Sequence, residues 1–158
     1  MKKIFGGKTS KSDGNGALVG KTVQVGQFHV KVETLLGQGG YAEIYQVKEV
    51  NTGQTYALKH LKLAGHPEHI LEVQKEAKTM AKLKGHPNIL RLHAASFAGP
   101  RNNETDGFFL LDFCPATLLE VMQTRNFQLS DRMVLHVFGC VCAAVSHMHT
   151  QNPPLAHR

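Results

Sequence analysis

Lys59 and Glu76 are the two residues of this chain whose charge, spacing and surroundings best suit chemistry. The lysine closes an extended run, Thr55-Tyr56-Ala57-Leu58-Lys59, downstream of a glycine-rich stretch, Gly37-Gln38-Gly39-Gly40-Tyr41-Ala42. Such a stretch lets backbone N–H groups approach phosphate oxygens that a Cβ would block, and glycine also relaxes the limits on φ. A cation on a neighbouring strand can then meet the same phosphates. Glu76 falls three residues after Val73 and four before Met80, on or beside the buried edge of a helix. An unpaired carboxylate in that place is costly, so Lys59 is its expected partner. The chemistry on offer is polyphosphate binding.

The elements that must position these groups are legible as alternation and periodicity. Phe28, Val30 and Val32 alternate with His29, Lys31 and Glu33, the pattern of a half-buried strand. Glu43 to Val50 alternates again and ends in an Asn51-Thr52-Gly53 turn before the Thr55–Lys59 strand. Period-two geometry puts Ile44, Ala57 and Lys59 on one face, apolar at one end to hold a base and cationic at the other. After the breaker Ala64-Gly65-His66-Pro67, Glu68 to Lys84 reads as helix, with Ile70, Val73, Ala77 and Met80 on one side. Gly85 to Leu90 stops it, Ala98 to Gly107 is a polar turn cluster, and Phe108 to Leu111 is a short apolar strand. Leu118 to Gln123 suggests a short helix. Ser130 is a good N-cap for a long one striped by Val134, Phe138, Val141, Val145 and Met148.

Composition sets outer limits. With 158 residues and 42% hydrophobic content the chain can bury an ordinary core. No run of about 18 apolar residues occurs, so no membrane-spanning helix is expected. The start lacks the apolar stretch of a secretory signal, and Lys2 excludes N-myristoylation. Cys114, Cys140 and Cys142 do not form a disulfide framework, so a reducing, cytoplasmic setting is expected. Much of the net charge of +6 sits in Lys2, Lys3, Lys8, Lys11 and Lys21. Residues 1–19 therefore read as a basic flexible leader, with weak contact to an anionic membrane surface as the sharper alternative. Nucleic acid is not expected as a partner, since the leader has a single aromatic residue, Phe5.

Competing motifs fail on spacing. A dinucleotide fold wants its glycines to open a helix, whereas these run into a β-rich segment. Gly7-Lys8-Thr9 and Gly20-Lys21-Thr22 lack the upstream glycine of a P-loop, because Lys2 and Asn15 stand there. The pairs Cys140/Cys142 and His147/His149 diverge around a helix, so no metal site is expected.

The glycine stretch and the lysine strand resemble the protein kinase pattern G-x-G-x-x-G-x-V followed by V-A-I-K. Gly37 and Gly39 take the first two glycine places, Ala42 the third, Ile44 the valine, and Tyr56-Ala57-Leu58-Lys59 the second motif. The resemblance implies an α+β fold: an N-lobe of five antiparallel strands and one helix at 20–111, a hinge at 112–116, and the first helices of a C-lobe at 117–158. It implies ATP held by Leu36, Gly37, Gly39, Gly40, Ala42, Ile44, Ala57, Lys59, Leu111 (as gatekeeper), Asp112 and Cys114. It further implies a Lys59–Glu76 pair serving catalysis. Leu111-Asp112-Phe113-Cys114, His147-Met148-His149 and Pro153-Pro154-Leu155-Ala156-His157-Arg158 are similar to the Numb-associated kinases. That group implies phosphorylation of protein Ser/Thr, with clathrin adaptor subunits as the substrate class.

His157 and Arg158 match the first two residues of the H-R-D catalytic loop, and the sequence ends there. The catalytic Asp and the ligands of Mg²⁺ would follow. The chain as given is therefore expected to be inactive alone, as the ATP-binding portion of a larger kinase. A non-catalytic binding module and an unrelated nucleotide- or anion-binding domain are the alternatives, the latter favoured by a helix directly after Gly39-Gly40.

Overall fold

The computed structural model describes residues 16–63, 67–100 and 103–156. Six strands, β1 (Thr22–Val25), β2 (Phe28–Gln38), β3 (Ala42–Glu49), β4 (Thr55–Lys62), β5 (Leu92–Ala98) and β6 (Asp106–Asp112), join helices α1 (Pro67–Lys82), α2 (Leu118–Thr124) and α3 (Asp131–His149). The strands form one antiparallel sheet in the order β1-β2-β3-β4-β6-β5. The fold class is α+β, as expected.

The sheet has six strands rather than five. Thr22-Val23-Gln24-Val25 adds a short strand, hairpinned onto β2 through Gly26, whose φ of 58° suits a residue without Cβ. The fold also reaches further back than the leader boundary at residue 19. Gly20 N–H donates to Val32 O at 2.9 Å, and Leu18 and Val19 pack on the sheet. Gly16 lies so close to the Tyr45 ring that a Cβ would clash. The Lys-rich residues before Gly16 lie outside the described residues.

Alternation along the strands gives the sheet two apolar faces. The outer one carries Val25, Val30, Val32, Tyr45, Val47, Leu58 and Leu110, covered by Leu18, Val19 and Val23. The inner one carries Ala57, Leu61, Leu63, Phe109 and Leu111, and α1 packs there through Ile70 and Val73, flanked by Ala77 and Met80. The periodic positions read in β2 (Phe28, Val30, Val32) and in α1 (Ile70, Val73, Ala77, Met80) are the ones that pack.

The turn Asn51-Thr52-Gly53 forms as expected, with Gly53 at φ 72° and its N–H on Glu49 O at 2.9 Å. The other two helices are capped by their sequence. Thr117 and Glu120 make a reciprocal capping box on α2, and Ser130 accepts the Met133 N–H on α3. No residue of α3 is fully buried, and Val134, Phe138 and Val141 are exposed.

Candidate functional site

The glycine stretch is a tight hairpin between β2 and β3. Gly37 pairs with Ile44 and Gln38 with Glu43, and Gly39 N–H donates to Ala42 O at 2.8 Å, leaving Gly40 and Tyr41 at the tip. A register shift between Leu35 and Gly37 sets Leu36 out of the ladder, half-exposed. A strand, and not a helix, follows Gly39-Gly40, so the feature that would favour the unrelated anion-binding alternative is missing there.

The conformational half of the glycine expectation is corrected here. None of Gly37, Gly39 and Gly40 adopts a left-handed φ. A Cβ at Gly37 or Gly40 would meet nothing within 4 Å, and one at Gly39 only Ala42 O at 3.7 Å. Neither the turn nor the packing of this chain therefore demands glycine. What the missing side chains leave is open space against the backbone, the other half of the expectation.

Below the hairpin the ladder assembles a floor. Ile44 stands opposite Lys59, Ala57 opposite Leu111, and Lys59 opposite Phe109. Ile44, Ala57 and Leu111 all belong to the inner apolar face, with Ala42 packed beside them. Lys59 Nζ lies 5.7 Å from the Phe109 ring centroid, within cation–π range. It reaches Glu76 Oε1 on α1 at 2.6 Å, a charge-assisted contact. The side chains are 24% and 41% exposed, so the pair faces an open cleft and is not a buried lock. An ion pair so placed orients a cation more than it stabilises a fold.

At the far edge of the floor Asp112 ends β6. Its carboxylate takes His93 Nε2 at 2.6 Å and the Arg91 N–H at 3.2 Å, and its own N–H donates to Arg91 O. Cys114, two residues on, is exposed in irregular chain. The structure thus brings Ala42, Ile44, Ala57, Lys59 and Leu111 onto one face of the sheet, with Glu76 reaching Lys59 from α1. Gly37, Gly39 and Gly40 form the hairpin at one end of that face, Asp112 ends β6 at the other, and Leu36 and Cys114 are exposed beside them. His157 and Arg158 lie outside the described residues.

A second polar cluster escaped the sequence reading. On the outer face Glu43 accepts from Lys62 Nζ at 2.9 Å, Tyr45 Oη at 2.8 Å and Gln38 Nε2 at 3.3 Å. His60 lies between Glu43 (3.3 Å) and Asp106 (2.6 Å) and stacks on Phe108. The Lys62 hydrogen bond outweighs burial and holds the Glu43 carboxyl below its ordinary value. Burial pushes Asp106 up, but its His60 and Thr105 hydrogen bonds outweigh that and leave it lowered. Burial first, then the Glu43 charge and hydrogen bond, push the Tyr45 phenol up to about 12. The signal was present: Glu43 has the strand parity of Tyr45 and Val47, so its charge had to share the buried outer face with them.

Residues 30–158 match the family described as protein kinase domain. A probable serine/threonine-protein kinase of Dictyostelium discoideum is 32% identical over 143 residues, covering 88% of this chain and 12% of that protein. The serine/threonine-protein kinase ppk30 of Schizosaccharomyces pombe is 30% identical over 142 residues, 88% of this chain and 15% of its own length. The serine/threonine-protein kinase AKL1 of Saccharomyces cerevisiae is 30% identical over 158 aligned residues, 88% of this chain and 14% of its own. The chain therefore spans less than a fifth of the length of these relatives.

Proposed function

Because the chain belongs to the protein kinase domain family, we propose that its cleft is the ATP site of a protein serine/threonine kinase. One observation carries the reading: Lys59 Nζ, held 2.6 Å from Glu76, stands on the floor beneath a glycine hairpin whose glycines the fold itself does not require. The open backbone at Gly37, Gly39 and Gly40 fits a polyphosphate, and Ile44, Ala57 and Leu111 offer a flat apolar bed for a base. ATP supplies the transferable phosphoryl group.

The chain's own residues then bind, orient and stabilise charge. Glu76 keeps Lys59 extended into the cleft, so that the ammonium meets phosphate oxygens without first being reoriented. Phosphoryl transfer is mostly positioning and charge stabilisation, and a fixed cation in a partly dry cleft serves both. Among the described residues no group of three His, Cys, Asp or Glu could hold a metal ion.

The finer reading is a kinase of the Numb-associated group that phosphorylates Ser/Thr of clathrin adaptor subunits in the cytoplasm, with the basic leader touching anionic membrane. It is supported by Leu111-Asp112-Phe113-Cys114, His147-Met148-His149 and Pro153-Pro154-Leu155-Ala156-His157-Arg158, and by the likeness to AKL1. Calorimetric titration of ATP into the chain and into Lys59→Met tests the site. Loss of binding in the variant supports it, and equal affinity overturns it.

A further inference from the structure

We propose that Glu43 is a positioning residue for the glycine hairpin, held in place by a bridge in which His60 joins it to Asp106. The inference rests on the nucleotide reading above and adds to it residues on the opposite face of the sheet.

Glu43 is 5% exposed, and a carboxylate at that depth requires donors. It has four, from three strands. Gln38 comes from β2, Tyr45 from its own β3, and His60 and Lys62 from β4. Gln38 and Glu43 form the last rung of the β2–β3 ladder, so their contact ties together the two arms of the hairpin at its base. Glu43 and His60 form the next rung to Ile44 and Lys59 on the β3–β4 ladder. The carboxylate therefore fixes the hairpin exit against the strand that carries the cleft's cation.

His60 completes the arrangement. Its Nδ1 faces Glu43 Oε2 at 3.3 Å and its Nε2 faces Asp106 Oδ1 at 2.6 Å. An ionised carboxylate only accepts, so in either tautomer the ring donates to one of the two carboxylates it lies between. The stack on Phe108, 8° from parallel with centroids 4.9 Å apart, fixes the ring plane. Glu43 and Asp106 thus share one ring, and the Lys62 ammonium meets Glu43 from the solvent side. Well-packed apolar residues often stabilise such a place as well as ions do, and Tyr45 and Val47 already fill the same face. Hydrogen-bonded charge adds direction, and a hairpin held in one orientation loses less freedom when it closes on phosphate.

The test compares Glu43→Gln with Glu49→Gln in the full chain. Glu49 is equally buried on the same strand, but its partners Asn51 and Thr52 belong to the turn at the far end. Amide exchange of Gly39 is measured without nucleotide, alongside ATP affinity and the melting temperature. Both variants should melt earlier. Only Glu43→Gln should speed Gly39 exchange, by about tenfold, and weaken ATP by about three- to tenfold, as expected for loss of preorganisation. Lys62→Met removes one donor from a side chain 55% exposed and leaves the core intact, so it carries the test if Glu43→Gln does not fold. It should shift Gly39 exchange the same way by a smaller factor. Equal Gly39 exchange in the two glutamine variants, or no change in Lys62→Met, overturns the proposal. A wild-type chain that binds no ATP, yet shows the Gly39 difference, overturns the nucleotide reading and leaves the positioning role standing.

Discussion

Ile44 stands directly opposite Lys59 on the β3–β4 ladder, so the strand leaving the glycine hairpin and the strand carrying the cation meet at one rung. Lys59 in turn stands opposite Phe109 on β6. An apolar residue, a cation and an aromatic ring thus lie side by side across three central strands. Backbone hydrogen bonds set their spacing, and α1 adds only the Glu76 carboxylate. A site built on the strands of a ladder is held more precisely than one carried on loops.

Lys59→Met should separate function from folding. Glu76 is 41% exposed and can be hydrated once its partner is gone, so the melting temperature should hardly move. In the whole protein the phosphoryl-transfer rate should fall by on the order of 10²–10³, the usual consequence of removing one charge-stabilising donor. Steady-state kinetics with a peptide substrate and a thermal melt read the two quantities.

Gly37→Ala and Gly40→Ala make the opposite test. The added methyl groups meet nothing within 4 Å and the backbone needs no left-handed φ, so the fold should tolerate them. Stability should hold or rise by about 0.4–1 kcal/mol through the less disordered unfolded chain. ATP affinity should fall several-fold if the open backbone is where phosphates lie. Denaturant melts paired with ATP titrations check both halves.

Acid should loosen the outer face of the sheet. Glu43 and Asp106 sit below their ordinary values of 4.5 and 3.8. Groups with depressed folded values stabilise the fold fully above the unfolded values and lose that contribution as pH falls through the folded ones. The melting temperature should therefore drop steeply below 4.5, and Glu43→Gln should make that acid limb shallower. A pH series of melts on the two chains gives the comparison.

Helix α3 should depend on its cap more than a buried helix would. No residue of it is fully buried, and Ser130 Oγ accepts the Met133 N–H at 3.3 Å. Ser130→Ala should cost about 1 kcal/mol and fray the first turn. Circular dichroism and amide exchange at Met133 and Val134 would register it.

Much of the site was legible because its parts are written locally. The glycine run, the Tyr56–Lys59 strand and the Ile70/Val73/Ala77/Met80 stripe each fit in one short window. The Lys59–Glu76 contact was legible from the helix position of Glu76 beside Val73 and Met80, although at 41% exposure its carboxylate does not need the cation as a fully buried one would. The cluster of Glu43, His60 and Asp106 was not legible in that manner. These residues are far apart in sequence and meet only through the registers of β3 with β4 and of β4 with β6. Strand parity marks Glu43 as inward-facing, but the choice of His60 as its neighbour needs the ladder. The sixth strand was hidden for a different reason. Thr22–Val25 is only four residues long, and its pairing with β2 depends on the turn at Gly26.

The most direct measurement is a titration of ATP into the ¹⁵N-labelled chain, with every backbone amide followed. If ATP lies under the glycine hairpin, saturable shifts appear at Gly37, Gly39 and Gly40, at Ala57 and Lys59, and at Asp112 to Cys114, with the α3 amides unmoved and with the shifts abolished in Lys59→Met. Saturable shifts confined to other surfaces, or none at millimolar ATP, would contradict it.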